Sequence, residues 1–205
     1  MGSQVDERRE MIYATRRLMY ATRMRWTWWM GLLVLLMVSG EVCAAREGRK
    51  SFRLTSVTFH EGEGIPSDYT CEGADVSPPL TWSKPPEGTK SFVLISEDPD
   101  APMGTWVHWV VYNLPASTQT LPEAFPIDGR LSDGTCQGTT SFGRTGYGGP
   151  CPPSGTHRYI FTLYALDTVL SLTPGVMKAQ LEEAMHGHVL GETHLMGTYR
   201  RKNHR

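Results

Sequence analysis

A mainly-β domain with one late helix is the fold class that this 205-residue sequence predicts. Three observations carry it. Short runs rich in β-branched and aromatic residues recur at 91–96, 106–114 and 158–166, as strands require. Glycine and proline are frequent, 21 and 14 residues, and crowd the middle of the chain, which favours a loop-rich β architecture over a helical bundle. One stretch near the end repeats apolar residues at helical spacing. The length and a hydrophobic content of 40% fit one domain with a sizeable core. A net charge of -1 gives no electrostatic reason for a nucleic-acid partner.

Residues 1–45 read as a separate segment. Arg16, Arg17, Arg23 and Arg25 precede an apolar run of about 13 residues, Trp26 to Val38, and small residues follow around Val42-x-Ala44. That order forms a secretory signal peptide cut near Ala44 or Ala45, with export to the periplasm or secretion. The run falls short of the roughly 20 residues that span a bilayer, and Glu41 would sit badly in one. An anchor left uncleaved is the alternative. A signal of ordinary length would begin at Met24, which makes residues 1–23 an extension upstream of the true start. The folded domain is then 46–205. It retains Cys71, Cys136 and Cys151, which allow three different single bridges with one thiol left over. The chain has no C-x-x-C pair, the usual mark of a zinc or redox site.

Within the domain, Phe52–Phe59 is the first expected strand, ended by the turn at Glu61-Gly-Glu-Gly64. Residues 75–82 lead into the next, and Pro85-Pro-Glu-Gly88 turns the chain. Ser91–Ser96 is a nearly continuous apolar run suited to a buried strand. In the strand at 106–114, a period of two puts Trp106, His108, Val110 and Tyr112 on one face. Residues 115–156 show no periodicity and read as a long loop, a feature that is usually functional in a compact domain. In the strand at 158–166, alternation extended back by one residue aligns His157, Tyr159, Phe161 and Leu163. A helix is expected with Thr173 as N-cap and Pro174 at its first position, burying Met177, Leu181, Ala184, Met185 and His188. A short strand, Thr193–Tyr199, and a basic tail close the chain.

The chemistry gathers around Asp98-Pro-Asp-Ala-Pro102. Each proline fixes its own φ and keeps the preceding aspartate out of the helical region, so two carboxylates sit on a stiff turn. His108 follows closely in the next strand. Two imidazoles and a phenol, from His108, His157 and Tyr159, supply donors for an anionic oxygen. A carboxylate beside a histidine holds it oriented and favours its charged form.

Asp98-Pro-Asp-Ala-Pro102 followed by His108-Trp-Val-Val-Tyr-Asn-Leu-Pro115 resembles the first signature of the phosphatidylethanolamine-binding protein family. Residues 143–159, which end in Thr-His-Arg-Tyr, resemble the second, and the resemblance runs over roughly 52–200. It implies antiparallel β-sheets, a long pocket loop and a C-terminal helix. It also implies a small pocket for phosphate-like groups at Asp98, Pro102, Trp106, His108, His157 and Tyr159, and more loosely at Gly149, Pro150 and Cys151. The short link Met103–Val107 resembles the bacterial, Raf-kinase-inhibitor-like branch and argues against Raf-type kinases as partners. The implied function is exported, non-catalytic binding of a small anionic ligand or phospholipid headgroup, without cofactor or metal. Some relatives inhibit kinases or proteases, so a protein partner of that kind is a second branch. Nothing in the sequence sets an oligomeric state.

Two other readings compete. A hydrolase could use Cys151 or Ser154 as nucleophile and His157 as base. No G-x-S-x-G elbow is present, and Cys151 sits between two prolines, which suits a structural bridge equally well. A metal site from His186, His188 and His194 is weaker, because a helical ligand pair needs spacing of three or four. The glycine-rich run 143–149 lacks the phosphate-loop pattern G-x-x-x-x-G-K-[ST].

Overall fold

The computed structural model describes residues 51–202. The expected signal peptide and the last residues of the basic tail lie outside them. In chain order the strands are β1 (Arg53–Thr55), β2 (Leu80–Ser83), β3 (Ser91–Asp98), β4 (Trp106–Pro115), β5 (Thr120–Leu121), β6 (Cys136–Gln137), β7 (His157–Leu166) and β8 (Val189–Tyr199), with helix α1 (Lys178–Met185) before the last. A three-stranded sheet has the order β1-β2-β5, and a five-stranded sheet has the order β6-β4-β3-β7-β8. All the strand pairs are antiparallel.

β3 shows why its sequence is nearly all apolar. It lies at the centre of the large sheet and is covered on both faces. Phe92 and Leu94 pack toward Leu54 and Trp82 of the small sheet, in one buried cluster with Trp109, Tyr159 and Phe161. Val93 and Ile95 point the other way, into a second cluster with Leu181 and Met185 of α1. Each such side chain removed from water contributes about 1.5–3 kcal/mol. Glu97, on the helix face, accepts a hydrogen bond from Lys178 Nζ at 2.6 Å and fastens the start of α1 to the sheet.

Several elements differ from the sequence reading. β1 covers only three residues of the expected Phe52–Phe59 strand, and β8 begins at Val189, earlier than expected. The expected loop 115–156 contains β5 and β6, each too short to show alternation. Buried Gln137 ties that segment down: its Oε1 accepts from Trp109 Nε1, and its Nε2 donates to the carbonyls of Pro126 and Asp128. The helix starts at Lys178, so Thr173 is not its N-cap. Gly175, at φ 87, turns the chain out of helical conformation, and Met177 bridges to Thr139 before the helix begins. Gln180 Oε1 then accepts from the Met177 amide at 3.0 Å. Met177 is exposed and Ala184 half-buried, while Leu181 and Met185 form the buried stripe and His188 falls beyond the helix end.

Strand β4 departs from strict alternation in a way that shapes the site. Ser96 pairs with Trp109 and Glu97 with Val107, so His108 is an extra residue, a β-bulge. The bulge breaks the expected face of Trp106, His108, Val110 and Tyr112. Val110 and Tyr112 belong to the helix-side cluster. His108 instead contacts Tyr159, whose cluster lies on the opposite face. A second irregularity falls near Asn113, which takes φ 57 and uses its side-chain amide to bond both backbone groups of Leu170.

Candidate functional site

Antiparallel pairing brings the end of β3 beside the beginnings of β4 and β7, and this places residues far apart in sequence at one end of the large sheet. Asp98 ends β3 and is buried. Its Oδ2 accepts from His157 Nδ1 at 2.7 Å, and its Oδ1 accepts from the Asp100 amide at 2.8 Å. The second carboxylate of the turn has another task. Asp100 takes two hydrogen bonds from the Arg158 guanidinium and one from the Arg158 amide, which hold its carboxyl down at about 2. The proline-framed turn is thereby locked to the first residues of β7.

His108 enters from β4. Its Nδ1 donates to the Gly148 carbonyl at 2.6 Å, and the Gly148 amide donates back to the His108 carbonyl at 3.0 Å. Its ring stands edge-on to Tyr159, centroids 5.2 Å apart, and to Phe142 at 5.4 Å. Burial pushes the His108 pKa down, opposed by the Gly148 hydrogen bond and by the charges of Asp98 and Asp75. The Tyr159 hydroxyl is buried with no hydrogen-bond partner of good geometry. Burial and then Asp98 raise its pKa, so it stays protonated as a donor.

Asp98, His108, His157 and Tyr159 therefore lie together. Trp106, 36% exposed, reaches them through Phe142, with ring centroids 5.5 Å apart. Gly149 and Pro150 are buried in the adjoining loop. Pro102 is exposed on the turn. Cys151 is bonded to Cys71, and Cys136 is the buried free thiol among the described residues. The hydrolase reading that uses Cys151 is thus corrected at its first step, since Cys151 has no thiol to act as nucleophile. His188 faces Asp167 at 2.8 Å, and among the described residues no metal-ligating group forms with His186 and His194.

Sequence reasoning missed three contributors. Asp75 Oδ1 accepts from the Gly149 amide at 2.7 Å, Gly148 holds His108, and Phe142 bridges Trp106 and His108. The glycines have a steric reason: a Cβ on Gly148 would stand 2.5 Å from the Phe142 ring, and one on Gly149 would stand 2.5 Å from the Tyr69 carbonyl. Asp75 and Phe142 carry no local signal, because each depends on a contact over long sequence distance, whereas Gly148 lies within the second signature stretch 143–159. A separate groove of about 440 Å³, lined in part by Arg53, His60 and His194, contains none of the site residues.

Two antiparallel sheets, one covering helix and a cluster of polar side chains at a sheet end define a mainly-β fold of the binding type. The family model of the phosphatidylethanolamine-binding protein matches residues 55–200, and the chain belongs to that family. It is 54% identical over 148 residues to a UPF0098 protein of Methanothermobacter thermautotrophicus, covering 72% of this chain and 98% of that one. A UPF0098 protein of Aquifex aeolicus is 51% identical over 149 residues, 71% of this chain and 86% of its own. Among solved structures, the phosphatidylethanolamine-binding protein homolog CT736 of Chlamydia trachomatis aligns with TM-score 0.69 and 46% identity, over 74% of this chain and 99% of that one. E. coli YbcL, described as a member of the mammalian family, aligns with TM-score 0.67 and 36% identity over the same shares.

Proposed function

We propose that the chain is an exported binding protein whose site takes a small anionic group of the phosphate type, on a phospholipid headgroup or a phosphorylated ligand, without turning it over. The observation that carries this reading is the gathering of the Asp98–His157 pair, His108 and the Tyr159 hydroxyl at one end of the large sheet. The bonds that hold the two rings run through Nδ1 of each, to the Gly148 carbonyl and to Asp98 Oδ2, and the Nε2 atoms are the ones this reading assigns to the ligand. Family membership supports the same reading, since its members are mostly binding or regulatory proteins and some bind other proteins. A regulator of a kinase or protease is the second branch. The Cys71–Cys151 bridge fits an oxidising compartment and supports export, with the signal peptide removed near Ala44 or Ala45.

Calorimetric titration of the mature protein with phosphoethanolamine tests the site. A charge-assisted hydrogen bond contributes about 1.5–3 kcal/mol, so His157→Ala weakens binding roughly 10- to 150-fold. Trp106→Ala loses shape selectivity more than anion affinity. Equal affinities in wild type and His157→Ala, or steady hydrolysis of the ligand, would contradict the reading.

A further inference from the structure

β8 is an edge strand of the large sheet, and part of its outer edge is already paired. Met196 and Thr198 turn their backbone groups outward, and the segment 61–65 runs beside them in parallel. The Gly62 amide donates to the Met196 carbonyl, the Thr198 amide to the Glu63 carbonyl and the Ile65 amide to the Thr198 carbonyl, each at 2.8 Å. Glu61 ends this row with a side chain: its Oε2 accepts from the Met196 amide at 2.8 Å, where a backbone carbonyl would otherwise stand. Strand alternation turns the backbone groups of Glu192 and His194 to the same edge. Among the described residues no strand pairs with them there, and both residues are exposed. The chain's own segment thus shows that this edge accepts an extended backbone, and in which direction.

A strand laid on the open half in that direction ends at His194, which lines the groove of about 440 Å³ together with residues of β1. The apolar part of the lining is buried Leu54, Phe59 and Leu195, while Arg53 and His60 are exposed at its wall. Other polar groups of the lining are engaged within the protein. The Ser56 hydroxyl donates to the Pro79 carbonyl at 2.7 Å, and Glu61, the acidic residue there, holds the Met196 amide. Among the described residues no carboxylate forms an ion pair with Arg53. Its guanidinium is a planar fork of donors that matches a carboxylate, and His60 and His194 add ring nitrogens beside it.

We propose that this edge takes the C-terminal end of an extended peptide, which pairs with residues 190–194 of β8 in parallel and sets its terminal carboxylate against Arg53 in the groove. Main-chain hydrogen bonds supply the affinity, and the carboxylate fixes direction and register. A peptide laid the other way would bring its amino end to Arg53. The surface shares no residue with the site around Asp98 and His108, so the two readings stand or fall separately.

The test is a set of ¹H–¹⁵N spectra of the whole mature protein, titrated with acetylated Val-Thr-Val-Thr-Val as the free acid and as the C-terminal amide. The free acid should shift the backbone amides of Glu192 and His194 and the Arg53 Nε signal with one midpoint. It should bind about tenfold or more tightly than the amide, the worth of one charge-assisted hydrogen bond. Arg53→Gln should bring the two peptides within a few-fold of each other. Glu192→Pro removes an outward donor but no bond to β7, and should abolish binding of both, with Tm checking the fold of each variant. A third peptide, the amide with aspartate in place of its last threonine, separates a side-chain carboxylate from a terminal one. Its binding as tightly as the free acid would overturn the terminal assignment. Equal affinity of free acid and amide for the wild type, or no shift at Glu192 and His194, would overturn the proposal. So would shifts along β8 that follow protein concentration rather than peptide, which mark a second copy on this edge.

Discussion

Cys71→Ser combined with Cys151→Ser removes the one bridge that fastens the site loop to the segment before β2. The bridge closes a loop with a sequence separation of 80. Loop-closure entropy for that length is worth about 4.5 kcal/mol, and bridges commonly deliver about 2–4 kcal/mol. Other contacts span the same gap, because the Cys71 amide donates to the Pro150 carbonyl and Tyr147 Oη donates to the Tyr69 carbonyl at 2.8 Å. They keep the loop in place in the folded variant, so the loss falls mainly on the unfolded state. For a domain of this size each kcal/mol moves Tm by about 2–4 °C, which gives a drop of about 4–18 °C in differential scanning calorimetry. Calorimetry of the wild type in reductant should give the same drop. A change below 2 °C in both experiments would refute the assignment of the bridge as a stabilising link.

Other expectations concern pH and the buried polar groups. Below pH about 6.5 the unfolded chain protonates residue 108 and the folded chain does not, because burial depresses the folded pKa; stability therefore falls as pH drops from that value toward the folded pKa. Tm measured against pH should show this slope, and His108→Gln should flatten it. Asp100 acts lower on the scale: its contribution is complete above 3.8 and lost as pH falls to about 2, and since Arg158 is half exposed the effect is small. Asp100→Asn should remove that lower slope, and an unchanged profile would contradict the assignment. Gln137→Leu leaves Trp109 Nε1 and the carbonyls of Pro126 and Asp128 without their partner. Urea unfolding should show a loss of about 2–4 kcal/mol, and a loss below 1 would contradict the role given to Gln137.

The long strands were legible because their composition matches their burial. Phe92-Val93-Leu94-Ile95 is apolar without a break because both of its faces are covered, and His157, Tyr159, Phe161 and Leu163 alternate with more exposed neighbours as expected. The signature residues Asp98, His108, His157 and Tyr159 could be named, but their arrangement could not. The bulge at His108 follows from the register between β3 and β4, which local sequence does not set. The helix start was displaced because Thr173-Pro174 looks like a cap, while the Gly175 turn and the Met177–Thr139 bridge decide otherwise. Asp75 sits in a loop next to Val-Ser-Pro-Pro, where nothing marks it as the partner of the Gly149 amide. That contact spans the chain, and only the folded register creates it.

The central claim is that His108 and His157 address one anionic ligand through their Nε2 atoms. Long-range ¹H–¹⁵N spectra of the histidine rings, recorded during a titration with phosphoethanolamine, test it most directly. The account predicts that His108 in the ligand-free protein is protonated at Nδ1, and that saturation shifts the Nε2 signals of His108 and His157 together with one midpoint. Unmoved signals from both, with shifts at His60 or His194 of the separate groove instead, would contradict it.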